Sequence, residues 1–451
     1  MALMKRRQLL TGVGGLLLGS ALPTVVRAQT TSRTLVAAYF GGWRVPMDLS
    51  QQGVHGDNPW GLYPTAKLPY VNHKMLNYPE RFPLIGPAPV GYDDAQQWVI
   101  DSEIQTASSY GIDVFAMNWY RDEFLNQAII NFKASPKKNL MKFFLQWSNN
   151  ANSTNTSPPA DSREYFFEGM RRAAAHMTDS AYWKQGGRPV FSIYDTTQID
   201  RIILTTMGRL PTATFSSINE ATLAHEAFLQ DCHNIVRNVL AGDPTGGITG
   251  KLNAAVVRNG TVTPTRVNTL GISGNFVQSM YLMIGTADIG AWGRCATVQG
   301  MYVYSIRTGT FGGAKRLTHS YGEMMTAVQQ NYDLVLPAMK TYAVGKAWWP
   351  TLMAGFDMRP WGGTAADPLH DNSLPTQAEF DAHCAQVRAT VDKYPTVTGG
   401  VVFIYAWNEL GEGGWITPRR ASARRGWSRC ATASNYSPPL AGAAPRQSGV
   451  A

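Results

Sequence analysis

Cysteine is scarce in this chain and badly placed for chemistry. Cys232, Cys295, Cys384 and Cys430 lie far apart and form no C-x-x-C pair, which excludes a thiolate zinc cage and a dithiol redox motif. The expectation is buried thiols that do not pair. Histidines are also few, and His73, His225 and His319 fall at no ligand spacing, so no metal centre is implied. No G-x-G-x-x-G turn stands between a strand and a helix, which argues against a bound nucleotide and against transfer from a nucleotide-activated donor. The chain has no Pro/Ser-rich linker and no internal repeat to divide it. No cofactor is expected.

The net charge of +9 at first points to polyanions, but its distribution does not. Lys5, Arg6, Arg7 and Arg27 open the chain, and six arginines without an acid follow Pro418, leaving −1 for residues 29–418. A near-neutral body creates no global field for nucleic acid. Arg6-Arg7 directly precedes an apolar stretch, Leu9–Leu22, with a small-residue cleavage site near Ala28. That pattern reads as a signal of the twin-arginine (Tat) type over residues 1–28, too short to span a bilayer. Export to the periplasm or beyond is therefore expected, with no stable membrane span after cleavage. Residues 419–451 read as a basic Ala/Pro/Ser-rich tail without a helical stripe.

Between the ends, short apolar runs alternate with amphipathic stretches. Strands are expected at Leu35–Phe40, Ile112–Asn118, Met141–Trp147, Pro189–Tyr194, Gln278–Ile284, Met301–Ile306, Leu352–Phe356 and Val401–Tyr405. Helices are expected at Asp94–Tyr110, closed by Gly111, and at Thr222–Leu240. Eight strand–helix units predict an α/β fold, a single-domain (β/α)8 TIM barrel with long loop insertions over residues 29–418. A doubly wound open sheet is the competing architecture. The stretch from Asp243 to Phe276 fits no unit and reads as an insertion. The segment Gly41–Tyr92, dense in Pro, Trp and Tyr, is too long for a simple connection and reads as a cleft wall or lid.

The stretch Trp407-Asn408-Glu409-Leu410-Gly411-Glu412-Gly413-Gly414-Trp415 follows the last strand. Barrel enzymes place their chemistry at strand C-termini. Two carboxyls there, one to protonate a leaving oxygen and one to activate the attack, are what glycosidic cleavage requires. The other strand ends are polar or aromatic: Tyr39, Asn118-Trp119-Tyr120, Trp147, Asp195, Tyr304, and Asp357 with Arg359. Together with Trp407 and Asn408 they supply flat apolar faces and hydrogen-bonding groups of the kind a sugar cleft uses. Some have a plainer reading. Asp195 also suits a helix cap, Asp357 and Arg359 an ion pair, Trp147 the core, and Tyr39 and Tyr304 barrel packing. Trp348 and Trp349 lie at the start of their strand and are read as packing.

Three stretches, GIDVFAMNWY (Gly111–Tyr120), GFDMRP (Gly355–Pro360) and WNELGEG (Trp407–Gly413), resemble the glycoside hydrolase family 99-like proteins, the group with WbsX-type domains and endo-α-mannosidases. Leu410 and Gly411 replace that family's usual middle residues, and Phe356 replaces a tryptophan. The end of the motif is also similar to the α-1,3-glucanases of family 71. The resemblance implies a (β/α)8 hydrolase of an α-mannan-like or α-glucan carbohydrate, with Glu409 and Glu412 as its acidic pair. Retention through the sugar's 2-hydroxyl and inversion through water both stay open. The alternative is a non-catalytic protein that binds an exported polysaccharide on the same rim. The arginine-rich tail stands where the barrel's last helix belongs, which puts closure in question.

Overall fold

The β-branched and aromatic runs become the staves of a parallel cylinder. The computed structural model describes residues 33–43, 75–85, 92–121, 125–149, 162–248 and 278–419, all within one unit, Ser32–Ala451. The strands are β1 (Thr34–Tyr39), β2 (Val114–Trp119), β3 (Lys142–Trp147), β4 (Arg188–Ile193), β5 (Tyr281–Gly285), β6 (Gly300–Tyr302), β7 (Ala347–Trp349), β8 (Thr351–Met353) and β9 (Val401–Tyr405). Their order is β7-β6-β5-β4-β3-β2-β1-β9-β8, parallel throughout.

The halves β7 and β8 form one stave broken at Pro350, which has no N–H to give to a ladder. The first half pairs with β6 (Trp348↔Met301) and the second with β9 (Leu352↔Ile404). One stave thus joins the two ends of the sheet. The architecture is the (β/α)8 barrel rather than the open sheet, in which β1 would not lie beside the last strand. Trp348 and Trp349 are fully buried, as packing residues should be.

Among the described residues nine helices flank the staves: α1 (Gln97–Ser109), α2 (Gln127–Ala134), α3 (Arg163–His176), α4 (Thr196–Thr206), α5 (Ile218–Leu240), α6 (Gly290–Arg294), α7 (Tyr321–Tyr342), α8 (Gln377–Lys393) and the single turn α9 (Pro395–Thr398). Their starts are written locally. Ser162, Ser217 and Ser320 each cap a backbone N–H three residues on, and Thr376 with Glu379 forms a capping box. The interior is one continuous apolar cluster with contributions from every stave, each buried large side chain stabilising the fold by about 1.5–3 kcal/mol.

A second cluster joins the two ends of the Gly41–Tyr92 segment to the rim: Phe40, Trp43, Met75, Phe82 and Tyr92 pack with Leu410 and Trp415. Residues 44–74 and 86–91 of that segment, most of the expected insertion (249–277), the stretch expected to be a signal (1–28) and the tail after Arg419 lie outside the described residues. Cys232 and Cys295 are buried and Cys384 is half-buried; Cys430 also lies outside. Among the described residues no helix is long and apolar enough to cross a membrane, and no group of three or more His, Cys, Asp or Glu is arranged to hold a metal.

Candidate active site

Past β9 the chain folds into a tight hairpin in which Asn408 pairs with Trp415 and Glu409 with Gly414. Its base is pinned to β1. Trp407 N–H donates to the Ala38 carbonyl (2.7 Å). The Asn408 amide accepts from Phe40 N–H (2.7 Å) and donates to the Phe40 carbonyl (2.8 Å), while the Trp43 indole donates to the Asn408 carbonyl (2.7 Å).

The tip is pinned from the other side. Arg81, buried with no exposed surface, donates to the carbonyls of Leu410 (3.0 Å) and Asp357 (2.9 Å) and pairs with the Asp357 carboxylate (2.5 Å). Asp357 N–H donates to the Glu412 carbonyl (2.7 Å). These close approaches explain the glycines. Gly413 has φ 79°, and a Cβ there would lie 2.4 Å from Asp357 N; at Gly411 it would lie 2.0 Å from the Trp361 indole. Only glycine fits both demands.

This clamp holds the two carboxyls against the hydroxyls of Tyr304 and Tyr405. Glu409 is 5% exposed, and its Oε1 accepts a hydrogen bond from Tyr304 Oη (2.7 Å). Glu412 is half-buried and accepts from the Tyr405 hydroxyl. The rings of Tyr304 and Tyr405 meet edge-on at 5.1 Å, and Tyr194 meets Tyr304 the same way at 5.3 Å. Burial raises the Glu409 pKa well above the usual carboxylate range, and the charge of Glu412 raises it further; the Tyr304 hydrogen bond opposes both. A pair whose environments differ in this way is equipped for acid–base work.

The family model described as Glycosyltransferase WbsX matches residues 70–425, well over half of the chain. The chain belongs to the WbsX family. Among solved structures it is similar to the GH99 endo-alpha-mannosidase from Bacteroides thetaiotaomicron, at 14% identity over 85% of this chain and 87% of that one, with a TM-score of 0.49. It is also similar to a glycoside hydrolase-like protein, at 12% identity over 86% and 87%, with a TM-score of 0.49. No curated protein matches.

In this WbsX-family chain the rim residues divide sharply. Asn118 and Tyr304 join Glu409 and Glu412, the Asn118 amide donating to Tyr304 Oη (3.4 Å). Tyr120 is half-buried against the second cluster. The remaining residues turn inward or bind protein groups. Trp119 and Trp147 are at most 1% exposed and pack edge-on at 5.4 Å, with Phe166 against Trp147 at 4.4 Å; rings enclosed in this way do not fit the expected sugar platform.

Trp407 and Tyr39 are likewise buried and donate to Glu103 (2.9 and 2.5 Å), and Asn408 is the clamp described above. Asp195 caps α4 through Thr197 N–H (2.8 Å). Asp357 binds Arg81 and Arg359 (2.6 Å), the ion-pair alternative. These placements follow from satisfied polar atoms, which a sequence does not show.

Sequence reasoning missed three participants, and it placed Tyr194 at the rim without giving it a role. Tyr405 ends β9 in an apolar run and reads as core. Arg81 lies in a segment read only as a wall. Trp361 is half-buried, resting on Gly411 between the two glutamates; the missing side chain at Gly411 was its only signal.

Proposed function

We propose that this protein cleaves glycosidic bonds of a polysaccharide or oligosaccharide, with Glu409 as proton donor and Glu412 as the base. The observation that carries the reading is the unequal environment of the two acids. Glu409 is buried, holds its proton to higher pH and is fixed by Tyr304. Glu412 is more open and lies against Tyr405. As the bond between the anomeric carbon and the leaving oxygen breaks, Glu409 passes its proton to that oxygen. Glu412 accepts a proton from the attacking group, either water or the sugar's own 2-hydroxyl. The anomeric configuration of the first product distinguishes inversion from retention. The half-buried Trp361 indole and the Tyr194 ring offer apolar faces for pyranose rings.

A second reading, transfer of the glycosyl unit to another sugar, is favoured by the description of the family as a glycosyltransferase. The same acid pair serves it, with an acceptor hydroxyl in place of water. We place the protein outside the cytoplasm on the strength of its twin-arginine leader; loss of residues 1–28 from exported material tests this. For the activity, the wild type and Glu412→Gln are compared on α-mannans, α-1,3-glucans and bacterial capsular polysaccharides. Reducing-end release by the wild type alone supports hydrolysis. New, longer products without net release support transfer. Binding by both proteins with neither product supports a carbohydrate-binding role without catalysis.

A further inference from the structure

Beneath Glu409 a line of buried polar side chains crosses the barrel interior. Ser192 on β4 lies 2.6 Å from the Tyr302 hydroxyl on β6. Tyr302 Oη donates to Gln146 Oε1 on β3 (2.7 Å), and Gln146 Nε2 donates to Asn118 Oδ1 on β2 (2.8 Å). Asn118 Nδ2 donates to Tyr304 Oη (3.4 Å), and Tyr304 donates to Glu409 Oε1 (2.7 Å). Ser192, Tyr302, Gln146 and Asn118 are each at most 5% exposed.

The Gln146 and Asn118 amides, oriented as they are in this structure, set the direction of this line. Tyr302 has one proton, and the Gln146 carbonyl takes it, so Ser192 must be the donor to Tyr302. Gln146 has therefore turned its amino group to Asn118. That fixes the Asn118 amide with its own amino group toward Tyr304. With a donor already facing its lone pair, Tyr304 has its proton free for Glu409. Every link points the same way and the line ends on a carboxyl. Aligned hydrogen bonds of this kind polarise one another.

We infer that Tyr302 and Gln146 are positioning residues for Glu409, a one-way hydrogen-bond relay that commits the Tyr304 proton to its carboxyl and so sets the pH at which it ionises. The inference rests on the proposed role of Glu409. The other titratable groups facing the site are Glu412 on the hairpin, Tyr405 at the end of β9, and Tyr194, which itself has Asp195 and Arg307 nearby. None of these is a member of the line, and breaking it at Gln146 or Tyr302 leaves Asn118 and Tyr304 in place beside Glu409. Tyr304 would then no longer be obliged to donate, and Glu409 would lose a bond that favours its charged form.

The test uses Gln146→Met, similar in length and without hydrogen-bonding groups, and Tyr302→Phe, which loses one oxygen. The ionisation of Glu409 is followed by the infrared carboxyl band that disappears in Glu409→Gln, beside the pH profile of kcat/KM. The relay predicts a midpoint about one pH unit higher in both variants, a falling limb of the rate profile moved by the same amount, and an unchanged KM. Ile129→Val, a core truncation remote from the line, should lower the melting temperature without moving the midpoint. A midpoint that stays in place in folded Tyr302→Phe overturns the relay, even if Gln146→Met fails to fold. A shifted infrared midpoint with no activity on any glycan keeps the relay and overturns the glycosidase reading instead.

Discussion

Two buried glutamates sit about the same chain element and have opposite fates. Glu103 is the acid in the middle of the apolar stripe of α1, with Val99, Ile100, Ile104 and Ala107. Its carboxyl is fully buried and accepts from Tyr39 (2.5 Å), Tyr92 (2.6 Å) and Trp407 (2.9 Å). Glu409, two residues beyond Trp407, accepts from Tyr304 (2.7 Å) and faces a second carboxyl in Glu412. Burial raises the pKa of both; for Glu103 it prevails over three donors and pushes the value to about 7. The first acid is caged and ties helix, strand and hairpin together. The second is exposed to like charge and held by a single phenol. A carboxyl surrounded by donors stabilises structure, whereas one left short of them and opposed by a neighbour is poised to exchange a proton.

The largest test of this contrast is Glu409→Gln. Reducing-sugar release should fall about 10³-fold, while the melting temperature holds, because the amide replaces a buried carboxyl that already keeps its proton. The mirror experiment is Glu103→Leu, which leaves three buried donors unpaired. Urea unfolding should show a loss of about 3–5 kcal/mol, and a variant as stable as the wild type would remove the structural role.

The third prediction concerns pH. The folded-state pKa of Glu103 is raised from 4.5 to about 7, so its stabilising contribution is complete below about 4.5 and lost as pH rises through 7. Wild-type stability should fall by about 3 kcal/mol across that window from this group, and Glu103→Gln should be flat there. The smallest effect is Tyr304→Phe. Rate should drop about tenfold, and the alkaline limb should move to higher pH, because the hydrogen bond it removes favours the ionised Glu409.

Much of the fold was legible because it is written locally. The run Val401–Tyr405 reads as a buried stave from its apolar residues, and the helices expected at Asp94–Tyr110 and Thr222–Leu240 stand at Gln97–Ser109 and Ile218–Leu240. The glutamates were legible because position past a strand end implies the rim. Trp147 misled because strand alternation leaves its facing undecided: it points outward from the stave into Phe166 and the backbone of Gly169, where a Cβ would lie 2.4 Å from the indole. Glu103 was not singled out in the sequence, because its three partners come from three other places in the chain.

By itself, then, the sequence determined the eight staves, their order along the chain and the arrival of two carboxyls after the last of them, since these depend on periodicity and neighbours. Only the tertiary structure decided which polar side chains are free to act. Asn408 is consumed by Phe40, Trp407 by Glu103, 304 residues away, and Asp357 by Arg81, while Asn118 and Tyr304 are turned toward Glu409. A hydrogen bond depends on distance and direction in space, and residue type and spacing along the chain carry neither.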